Sequence, residues 1–386
     1  MENIAQCLKA NSYEPFTSDQ ICNLTRYKSV IFTYDKDNID LYDDISICGP
    51  YMKRYGKMYV TFNRVMHCLS KIPPLFSKTI KRNRIKLIHI HMGHNIEDFL
   101  PLSERFALPI VASFHGHDVY AYSNFEKNKT LCKKLCLKHA LFLVISNHMK
   151  KMLVGFGCPE RKIVVHHVGV DLEKFKFKER KIEKGKALKI LCVANFTYKK
   201  GIPILIRVLT EIKKICPNLE LRIVGTETQN DGHKEKKIVE ELVHELRLQD
   251  SVIFRGFKNH NAIQDEYDWA HIFALPSRTA PNGDSEGAPT VLMEAQASGL
   301  PVVSTYSTGI PEVVLDGVSG YLAREGDTQD FADKVCMLIR NHQLWPQMGL
   351  AGRKHIEGNY NLIKQVQKLE DIYDIELEVY PKESRS

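Results

Sequence analysis

Short apolar runs alternate with longer mixed segments through the first half of the chain. Each run is almost continuously apolar, which is typical of strands that helices cover on both faces. The runs lie at 29–34, 86–91, 108–114, 140–146 and 162–166, with a weaker one at 4–8. This pattern predicts a parallel sheet packed between helices.

A second alternation of the same kind begins at residue 188. Its predicted strands lie at 188–194, 219–224, 252–255, 272–275 and 301–304, and its helices at 201–215, 234–246, 262–269 and 329–341. The charged segment 175–188 lacks periodicity, so we interpret it as an interdomain linker. The tail, 345–378, is helical in pattern and long enough to return to the first half.

We therefore predict an α/β protein with two Rossmann-like, doubly wound parallel-sheet domains that face each other across a cleft. The first domain is residues 1–178 and the second is residues 188–361. A C-terminal helix of about residues 362–386 crosses back to the first domain.

Length and composition fit this architecture, since 386 residues are too many for one ordinary core. No apolar run approaches the roughly 18 residues of a membrane-spanning helix, and the first residues lack the features of a secretion signal. The ten cysteines are scattered, and the nearest pair, Cys132 and Cys136, has no second pair to complete a zinc site. These features predict a cytoplasmic protein with reduced thiols.

The net charge of +8 is unevenly distributed. Residues 1–180 hold 28 basic and 17 acidic residues, whereas the remainder holds 26 and 29, so the two parts carry +11 and −3. A dense basic cluster comprises Lys78, Lys81, Arg82, Arg84 and Lys86. This cluster predicts either a contact with an anionic membrane surface or acceptor, or a solvated helix end.

Two carboxylates, Glu286 and Glu294, flank a predicted helix start. The helix is expected to open near Pro289 and to stop at Gly299, before Pro301. An anion bound to the free amides at the helix start would have one carboxylate on either side. That arrangement suits a sugar nucleotide, whose diphosphate joins two groups rich in hydroxyls. The alternative is that both are solvated surface charges.

Polar residues also follow two strands of the first half. His89 and His91 close one strand, and His115, His117 and Asp118 follow another. Ligands of open α/β sheets bind beyond the carboxyl ends of strands, where a histidine can donate to a sugar hydroxyl. A metal site is the alternative, although the spacing matches no zinc pattern.

An Asp35-Lys36-Asp37 triplet resembles a divalent-cation motif only superficially, and we interpret it as a loop.

The turn after the strand 188–194 contains Lys199 and Lys200, and Gly201 and Pro203 open the next helix. A cation and free backbone amides would then point toward the same space, as in a phosphate cradle. A surface turn is the alternative. Gly225 ends the next strand, where a flat base or ribose could approach the backbone.

Taken together, these motifs resemble the retaining glycosyltransferases of family 4, which have the GT-B fold. The resemblance covers about residues 108–338, and within the family the chain looks most like bacterial exopolysaccharide and colanic-acid-type enzymes. It rests on these motifs: Phe114-His-Gly-His-Asp118, Val168-Gly-Val-Asp171, Lys199-Lys-Gly201, Ile223-Val-Gly225, Val252-Ile-Phe-Arg-Gly256, the pair Glu286 and Glu294, Gly299-Leu-Pro-Val-Val-Ser304 and Gly309-Ile-Pro-Glu312.

The resemblance implies a role for each matching residue. Glu294 would accept from the donor ribose, Lys200 would neutralise the diphosphate, and Glu286 would hold the transferred sugar, which His115 would reach from the opposite domain. The implied donor-binding residues also include Asn195, Lys199, Gly225, Gly287, Ala288, Pro289 and Thr290. No metal and no cofactor beyond the sugar nucleotide would be needed, because a cation and helix amides already stabilise the leaving group.

The implied function is retaining transfer of a hexose-type sugar from a UDP- or GDP-sugar to a saccharide or lipid-linked acceptor in surface polysaccharide synthesis. The enzyme would be cytoplasmic and peripheral on the membrane through its basic first domain. The chain departs from the family at Ala194-Asn195, where relatives usually have Gly-Arg. A second hypothesis is therefore a scaffold that binds a sugar nucleotide without turnover. Nucleic acid is not an expected partner, since no basic motif with interleaved aromatic residues is present.

Overall fold

The computed structural model describes residues 1–8, 15–34, 45–49, 57–120, 129–130, 140–183, 185–228, 232–259 and 262–383. The predictions for the Asp35-Lys36-Asp37 loop and for Cys132 and Cys136 lie outside these residues. The chain divides into two compact units. Apart from Tyr120, the first unit runs to Gly169 and includes the C-terminal helix, and the second unit runs from Val170 to Asn361.

The first unit is built on a seven-stranded parallel sheet. Its strands are β1 (Glu2–Cys7), β2 (Tyr27–Phe32), β3 (Ser46–Cys48), β4 (Ile85–His91), β5 (Ile110–Phe114), β6 (Ala140–Val144) and β7 (Ile163–Val165), in the order β3-β2-β1-β4-β5-β6-β7. The weak apolar run at 4–8 is thus a strand within the sheet, where Ile4 and Ala5 are fully buried. Strand β3 was not predicted, because Ser46-Ile47-Cys48 is not a continuous apolar run.

Helices lie between the strands of this sheet in the described part of the unit. They are α1 (Pro15–Cys22), α2 (Lys57–Ser70), α3 (Pro74–Asn83), α4 (Ile96–Phe106), α5 (His117–Tyr120) and α6 (Asn147–Gly155). The cap of α6 shows how sequence fixes a helix start, since the Ser146 hydroxyl accepts from the backbone N–H of Met149 at 3.2 Å.

The second unit contains a six-stranded parallel sheet. Its strands are β8 (Leu188–Val193), β9 (Leu219–Val224), β10 (Val252–Gly256), β11 (Ile272–Ala274), β12 (Val302–Thr305) and β13 (Gly320–Ala323), in the order β10-β9-β8-β11-β12-β13. The sequence did not reveal the edge strand β13. The order reverses between β8 and β11, and a ligand of such a sheet binds where the order reverses, at the carboxyl ends of the strands.

The described residues of the second unit form helices that accompany its sheet. They are α7 (Ile202–Ile215), α8 (Gly232–Glu245), α9 (Ile263–Trp269), α10 (Thr290–Ala297), α11 (Ile310–Val313), α12 (Thr328–Arg340) and α13 (Trp345–Asn359). Within the described ranges no helix is long and apolar enough to cross a bilayer. The strands and helices predicted from the alternation therefore form two parallel-sheet α/β units, and the predicted fold class is confirmed.

The last helix, α14 (Leu362–Glu383), belongs to the first unit. The carboxylate of Glu370, which is 1% exposed, accepts from the backbone N–H groups of Thr25 and Arg26 at 2.6 Å each. The Arg26 side chain pairs in turn with Asp371 and Asp374 of the same helix at 2.6 Å. These contacts explain why the tail packs on the first sheet.

The boundary between the units differs from the predicted one at residue 178. The charged segment that we interpreted as a linker is attached to the second unit by hydrogen bonds. The backbone N–H of Val170 donates to the carbonyl of Tyr360, and Arg353 donates to the carbonyl of Phe175 at 2.6 Å. The buried Arg180 donates to the carbonyls of Ala270 and Ser298. Charge along a sequence does not reveal such contacts to distant carbonyls.

Candidate functional site

A tight turn after β8 presents two lysines. Residues Tyr198–Lys200 form a single 3₁₀ turn, and Gly201 follows with φ of 64° before α7 begins. A Cβ atom on Gly201 would lie 1.9 Å from the carbonyl oxygen of Pro276. Only glycine therefore lets the turn approach the segment that follows β11.

Arg278 holds this turn from the neighbouring strand end. Its Nε donates to the carbonyl of Tyr198 at 3.0 Å, and its backbone N–H donates to the carbonyl of Lys199 at 2.8 Å. Its guanidinium stacks 3.6 Å from the centre of the Tyr198 ring and lies 3.6 Å from Glu235. The sequence reasoning missed Arg278, although a basic residue just after a central strand was an available signal.

Both lysines form ion pairs with the loop before α10. Nζ of Lys200 lies 2.8 Å from Oε1 of Glu286, and Nζ of Lys199 lies 3.2 Å from the carboxylate of Asp284. The Glu286 side chain is 8% exposed, so this pair is largely shielded from water. The structure thus brings together three of the predicted site residues and adds Asp284.

The charges in this cluster stabilise each other. Burial alone would raise the pKa of Glu286, but Lys200 and Lys199 outweigh it and the pKa is lowered. Burial would lower the pKa of Lys199, but Glu286 and Asp284 outweigh it and the pKa is raised. At neutral pH the cluster therefore combines carboxylates with cations, which can bind hydroxyl groups and phosphate oxygens respectively.

Helix α10 begins directly after this loop. Pro289 is its N-cap in extended conformation, so the helix starts at Thr290, one residue later than a first-position proline would place it. Gly287 and Ala288 connect Glu286 to the cap. The N–H groups of the first helical turn have no acceptor within the helix, and they form its positive end.

Glu294 lies one turn along α10 and is oriented by a tyrosine. The hydroxyl of Tyr267 on α9 donates to Oε2 of Glu294 at 2.7 Å. Burial, together with the charge of Glu294, raises the pKa of Tyr267 well above its usual value, so the hydroxyl keeps its proton. Sequence patterns gave no sign of Tyr267, because its partner is on a different helix.

Asn195 and Gly225 lie at the ends of β8 and β9. The exposed Asn195 accepts from the backbone N–H of Thr226 at 3.3 Å through its side-chain oxygen. A Cβ atom on Gly225 would lie 1.9 Å from the carbonyl oxygen of Ala194. Close packing of the two strand ends is therefore one reason for glycine here, and the approach of a base or ribose stays a prediction.

His115 belongs to the first unit, where it follows β5. It lines a pocket with Phe16, His166 and Gln365. Within the described residues both ring nitrogens of His115 are buried and have no hydrogen-bond partner. Burial lowers its pKa, although Asp118 opposes this effect. His115 is thus a neutral imidazole able to bind a hydroxyl, and its role toward the transferred sugar stays a prediction.

The other polar residues after β4 and β5 have structural roles. Nδ1 and Nε2 of His89 contact Tyr373 and Ser113 at 2.6 and 2.7 Å, inside the unit. Nε2 of His91 is 2.9 Å from the side-chain oxygen of Gln6, so it carries the proton. The expectation that these two histidines reach a sugar hydroxyl is wrong, because both are buried beneath the strand ends.

Asp118 is likewise engaged by the backbone. Its carboxylate accepts the N–H groups of Gly93, His115 and Gly116 at 2.8 to 3.0 Å. The ranges that the structure describes contain no group of three or more His, Cys, Asp or Glu side chains arranged to hold a metal ion.

Two family models match the chain. The model described as Glycosyltransferase Family 4 matches residues 36–174, and the model described as Glycosyl transferases group 1 matches residues 173–355. The two matches are adjacent and fall on the two α/β patterns of the sequence.

Two curated bacterial proteins are similar in sequence. The amylovoran biosynthesis glycosyltransferase AmsK of Erwinia amylovora is 37% identical over 251 residues, which are 65% of this chain and 60% of AmsK. The putative colanic acid biosynthesis glycosyltransferase WcaL of Escherichia coli is 33% identical over 254 residues, which are 65% of this chain and 61% of WcaL. The chain thus spans about three fifths of the length of these relatives.

A solved structure is similar over nearly the whole chain. The crystal structure of Anabaena HepE in complex with UDP and glucose has a TM-score of 0.77 at 18% identity, covering 97% of this chain and 100% of HepE. At this identity the likeness shows the fold, which is that of the GT-B glycosyltransferases.

Proposed function

We propose that this chain, whose two halves match the models for Glycosyltransferase Family 4 and Glycosyl transferases group 1, is a family 4 glycosyltransferase. It would transfer a hexose-type sugar from a UDP- or GDP-sugar to a saccharide or lipid-linked acceptor. The observation that carries the proposal is the pair of Lys200 and Glu286, 2.8 Å apart in front of helix α10. The pair combines a cation for a diphosphate with a carboxylate for sugar hydroxyls at one point.

Charge development in the reaction matches this arrangement. As the bond between the anomeric carbon and the diphosphate oxygen breaks, negative charge grows on the leaving group. Lys200 and the first-turn amides of α10 would stabilise that charge. Lys199, which pairs with Asp284 at 3.2 Å, would add to this positive potential.

We propose that the configuration at the anomeric carbon is retained. The acceptor hydroxyl would attack on the face from which the diphosphate departs, forming the new C–O bond as the old one breaks. Its proton would pass to the departing phosphate oxygen, so that no separate base is required. Glu286 would hold the sugar hydroxyls during this step.

Glu294 would bind the donor ribose. Its Oε2 accepts from Tyr267 at 2.7 Å, and the carboxylate oriented in this way would accept from a ribose hydroxyl. A carboxylate held in one orientation loses less entropy on binding. We expect Glu294 to contribute mainly to donor affinity.

A divalent metal is not part of the proposed mechanism, because the lysine and the helix amides supply the positive potential that the leaving diphosphate needs. The names of AmsK and WcaL place those relatives in exopolysaccharide synthesis, which supports the same setting for this protein. Its proposed location is the cytoplasm.

The test is a screen of the purified full chain against UDP- and GDP-sugars, with saccharide and lipid-linked acceptors. We expect release of one nucleoside diphosphate, with or without EDTA, and a product whose anomeric configuration by NMR matches the donor. Lys200→Met should be inactive. Lys213→Met, which removes a lysine outside the site, is the matched control and should remain active. The proposal would be refuted if none of the sugar nucleotides gave a nucleoside diphosphate with any acceptor. Tight binding without turnover would favour the scaffold hypothesis that Asn195 raised.

A further inference from the structure

Thr308 has a backbone conformation that its side chain disfavours. It lies between β12 and α11 with φ of 43°, in the left-handed region. The backbone crowds a branched Cβ atom there, so a β-branched residue with positive φ is uncommon, whereas glycine adopts the conformation without strain. Such strain persists only where the surrounding structure imposes it, and strained residues cluster at functional sites. The contacts of the Thr308 side chain should therefore explain why it is there.

The side chain of Thr308 is bonded to the backbone of Glu286. Its hydroxyl donates to the carbonyl oxygen of Glu286, which is 22 residues earlier in the chain. The carboxylate of the same glutamate pairs with Lys200 at 2.8 Å. Glu286 is thus held from two directions, because Thr308 contacts its backbone and Lys200 contacts its side chain. A glycine at position 308 would relieve the strain but would remove the first of these contacts.

The segment that carries Thr308 is itself firmly attached to the neighbouring strand end. The hydroxyl of Ser304 donates to the carbonyl of Leu275 at 2.7 Å, and the hydroxyl of Thr305 donates to the carbonyl of Ser277 at 2.6 Å. Ser304 and Thr305 are buried, so water does not compete for these bonds. Thr308 therefore extends from a fixed point of the sheet and can hold the loop that it contacts.

We propose that Thr308 is a positioning residue for the transfer reaction, acting on Glu286 through the loop before α10. The inference rests on the proposed function, in which Glu286 holds the transferred sugar. A carboxylate in that role has to stay within about 0.5 Å of its productive position. The ion pair with Lys200 restrains only the end of the Glu286 side chain, and the bond from Thr308 restrains its backbone.

The experiment compares three substitutions at Thr308 in the full chain. Thr308→Val keeps the branched shape but removes the hydroxyl, Thr308→Gly removes both, and Thr308→Ser keeps the hydroxyl. With the sugar nucleotide that the chain uses, kcat should fall about tenfold in the valine and glycine variants, and the serine variant should keep most of the activity. The donor KM should change by less than about twofold, since the ribose is assigned to Glu294.

Stability and activity should not follow each other in this series. Both Thr308→Val and Thr308→Gly lose the bond to Glu286, but only glycine relieves the backbone strain. The glycine variant should therefore have the higher melting temperature of the two and be no more active. If Thr308 had a structural role alone, activity would rise with stability.

A matched control comes from Arg247, which is exposed after helix α8 and has φ of 54°. Arg247→Gly relieves the same kind of strain outside the candidate site, so it should leave kcat unchanged. A fall in kcat in this variant like that of Thr308→Gly would overturn the proposal, since relief of strain anywhere would then lower activity.

Amide exchange of residues 284–288 tests the contact without turnover. Exchange should become faster in Thr308→Val and Thr308→Gly and should stay nearly unchanged in Thr308→Ser. Equal exchange in all three variants would overturn the proposal, and so would a glycine variant as active as the unchanged protein. If the unchanged protein released no nucleoside diphosphate, the proposed function would fail, whereas faster exchange in the two variants would still support Thr308 as the residue that positions Glu286.

Discussion

The ammonium group of Lys200 lies 2.8 Å from Oε1 of Glu286, where the turn after β8 meets the loop before α10. Beside it, Lys199 pairs with Asp284 at 3.2 Å. The two lysines are adjacent in sequence and their partners are two residues apart, so the turn and the loop are joined at two successive points. The position of Lys200 therefore depends on the loop as much as on its own turn.

Replacing Lys200 should affect stability and activity differently. Lys200→Met leaves the buried Glu286 without its partner, and we expect a loss of about 3 kcal/mol in the free energy of unfolding. Transfer should fall by roughly 100-fold or more, since a charge on the leaving group is no longer stabilised. The double variant Lys200→Met with Glu286→Gln should regain much of the stability in denaturant unfolding but none of the turnover. Recovery of turnover would contradict the assigned role.

Tyr267→Phe tests the orientation of Glu294. The substitution removes one hydroxyl, and the donor KM should rise by about fivefold because a hydrogen bond to a charged group is lost. The value of kcat should stay nearly constant, since the proposed partner of Glu294 is the ribose and not the reacting carbon. Glu294→Gln changes the carboxylate itself and should raise the donor KM further. A fall in kcat without a change in KM would show that Tyr267 acts on the chemical step.

Arg278 is predicted to be a positioning residue for the lysine turn. In Arg278→Lys the charge near Glu235 is kept, but a lysine cannot both stack on Tyr198 and donate sideways to its carbonyl. We expect transfer to fall by about tenfold, with a loss of about 1 to 2 kcal/mol in stability. Amide exchange of residues 198–201 should speed up. Unchanged exchange in this segment would mean that the turn is rigid without Arg278.

The first unit should lose stability in mild acid. Burial lowers the pKa of His91 to about 3 and that of His166 to about 4. Below the unfolded value of about 6.5, the unfolded chain takes up protons that the folded chain does not. Stability is therefore complete above pH 6.5 and falls between about 6.5 and 4, by about 1.4 kcal/mol per pH unit for each histidine.

Tryptophan fluorescence does not report on the first unit, because both tryptophans, Trp269 and Trp345, belong to the second unit. Amide exchange of β4 and β5 is therefore the appropriate measurement for this effect. In His91→Gln the dependence on pH should be shallower, whereas the exposed His342→Gln should leave it unchanged. Equal protection of the β4 and β5 amides at pH 7 and pH 5 would refute the prediction.

Glu370 should be the main polar anchor of α14. Glu370→Gln weakens charge-assisted hydrogen bonds to Thr25 and Arg26, and we expect a loss of about 2 kcal/mol in stability. The neighbouring Asp371 is 66% exposed in its pair with Arg26, so Asp371→Asn should cost less than about 1 kcal/mol. Limited proteolysis of the C-terminal helix compares the two variants. Equal effects would show that apolar packing alone holds the helix.

Sequence patterns predicted most of the fold because apolar periodicity is a local property. Strands such as β4 and β8 are runs of apolar residues, and Gly299 and Pro301 mark the end of α10 in the letters themselves. The strands β3 and β13 escaped detection because neither is a continuous apolar run: β3 begins with Ser46 and β13 begins with Gly320. The boundary after Gly169 also escaped, because hydrogen bonds to distant carbonyls assign residues 170–180 to the second unit.

The sequence by itself determined most of the secondary structure, the excess of positive charge in the first half and the residue types at the candidate site. Only the tertiary structure decided which of them meet: Lys200 with Glu286, Glu294 with Tyr267, and Arg278 with the turn that it holds. It also buried His89 and His91. The reason is that periodicity reflects the neighbours of a residue along the chain. An ion pair or a hydrogen bond depends instead on where the parallel strands place residues that are far apart in sequence.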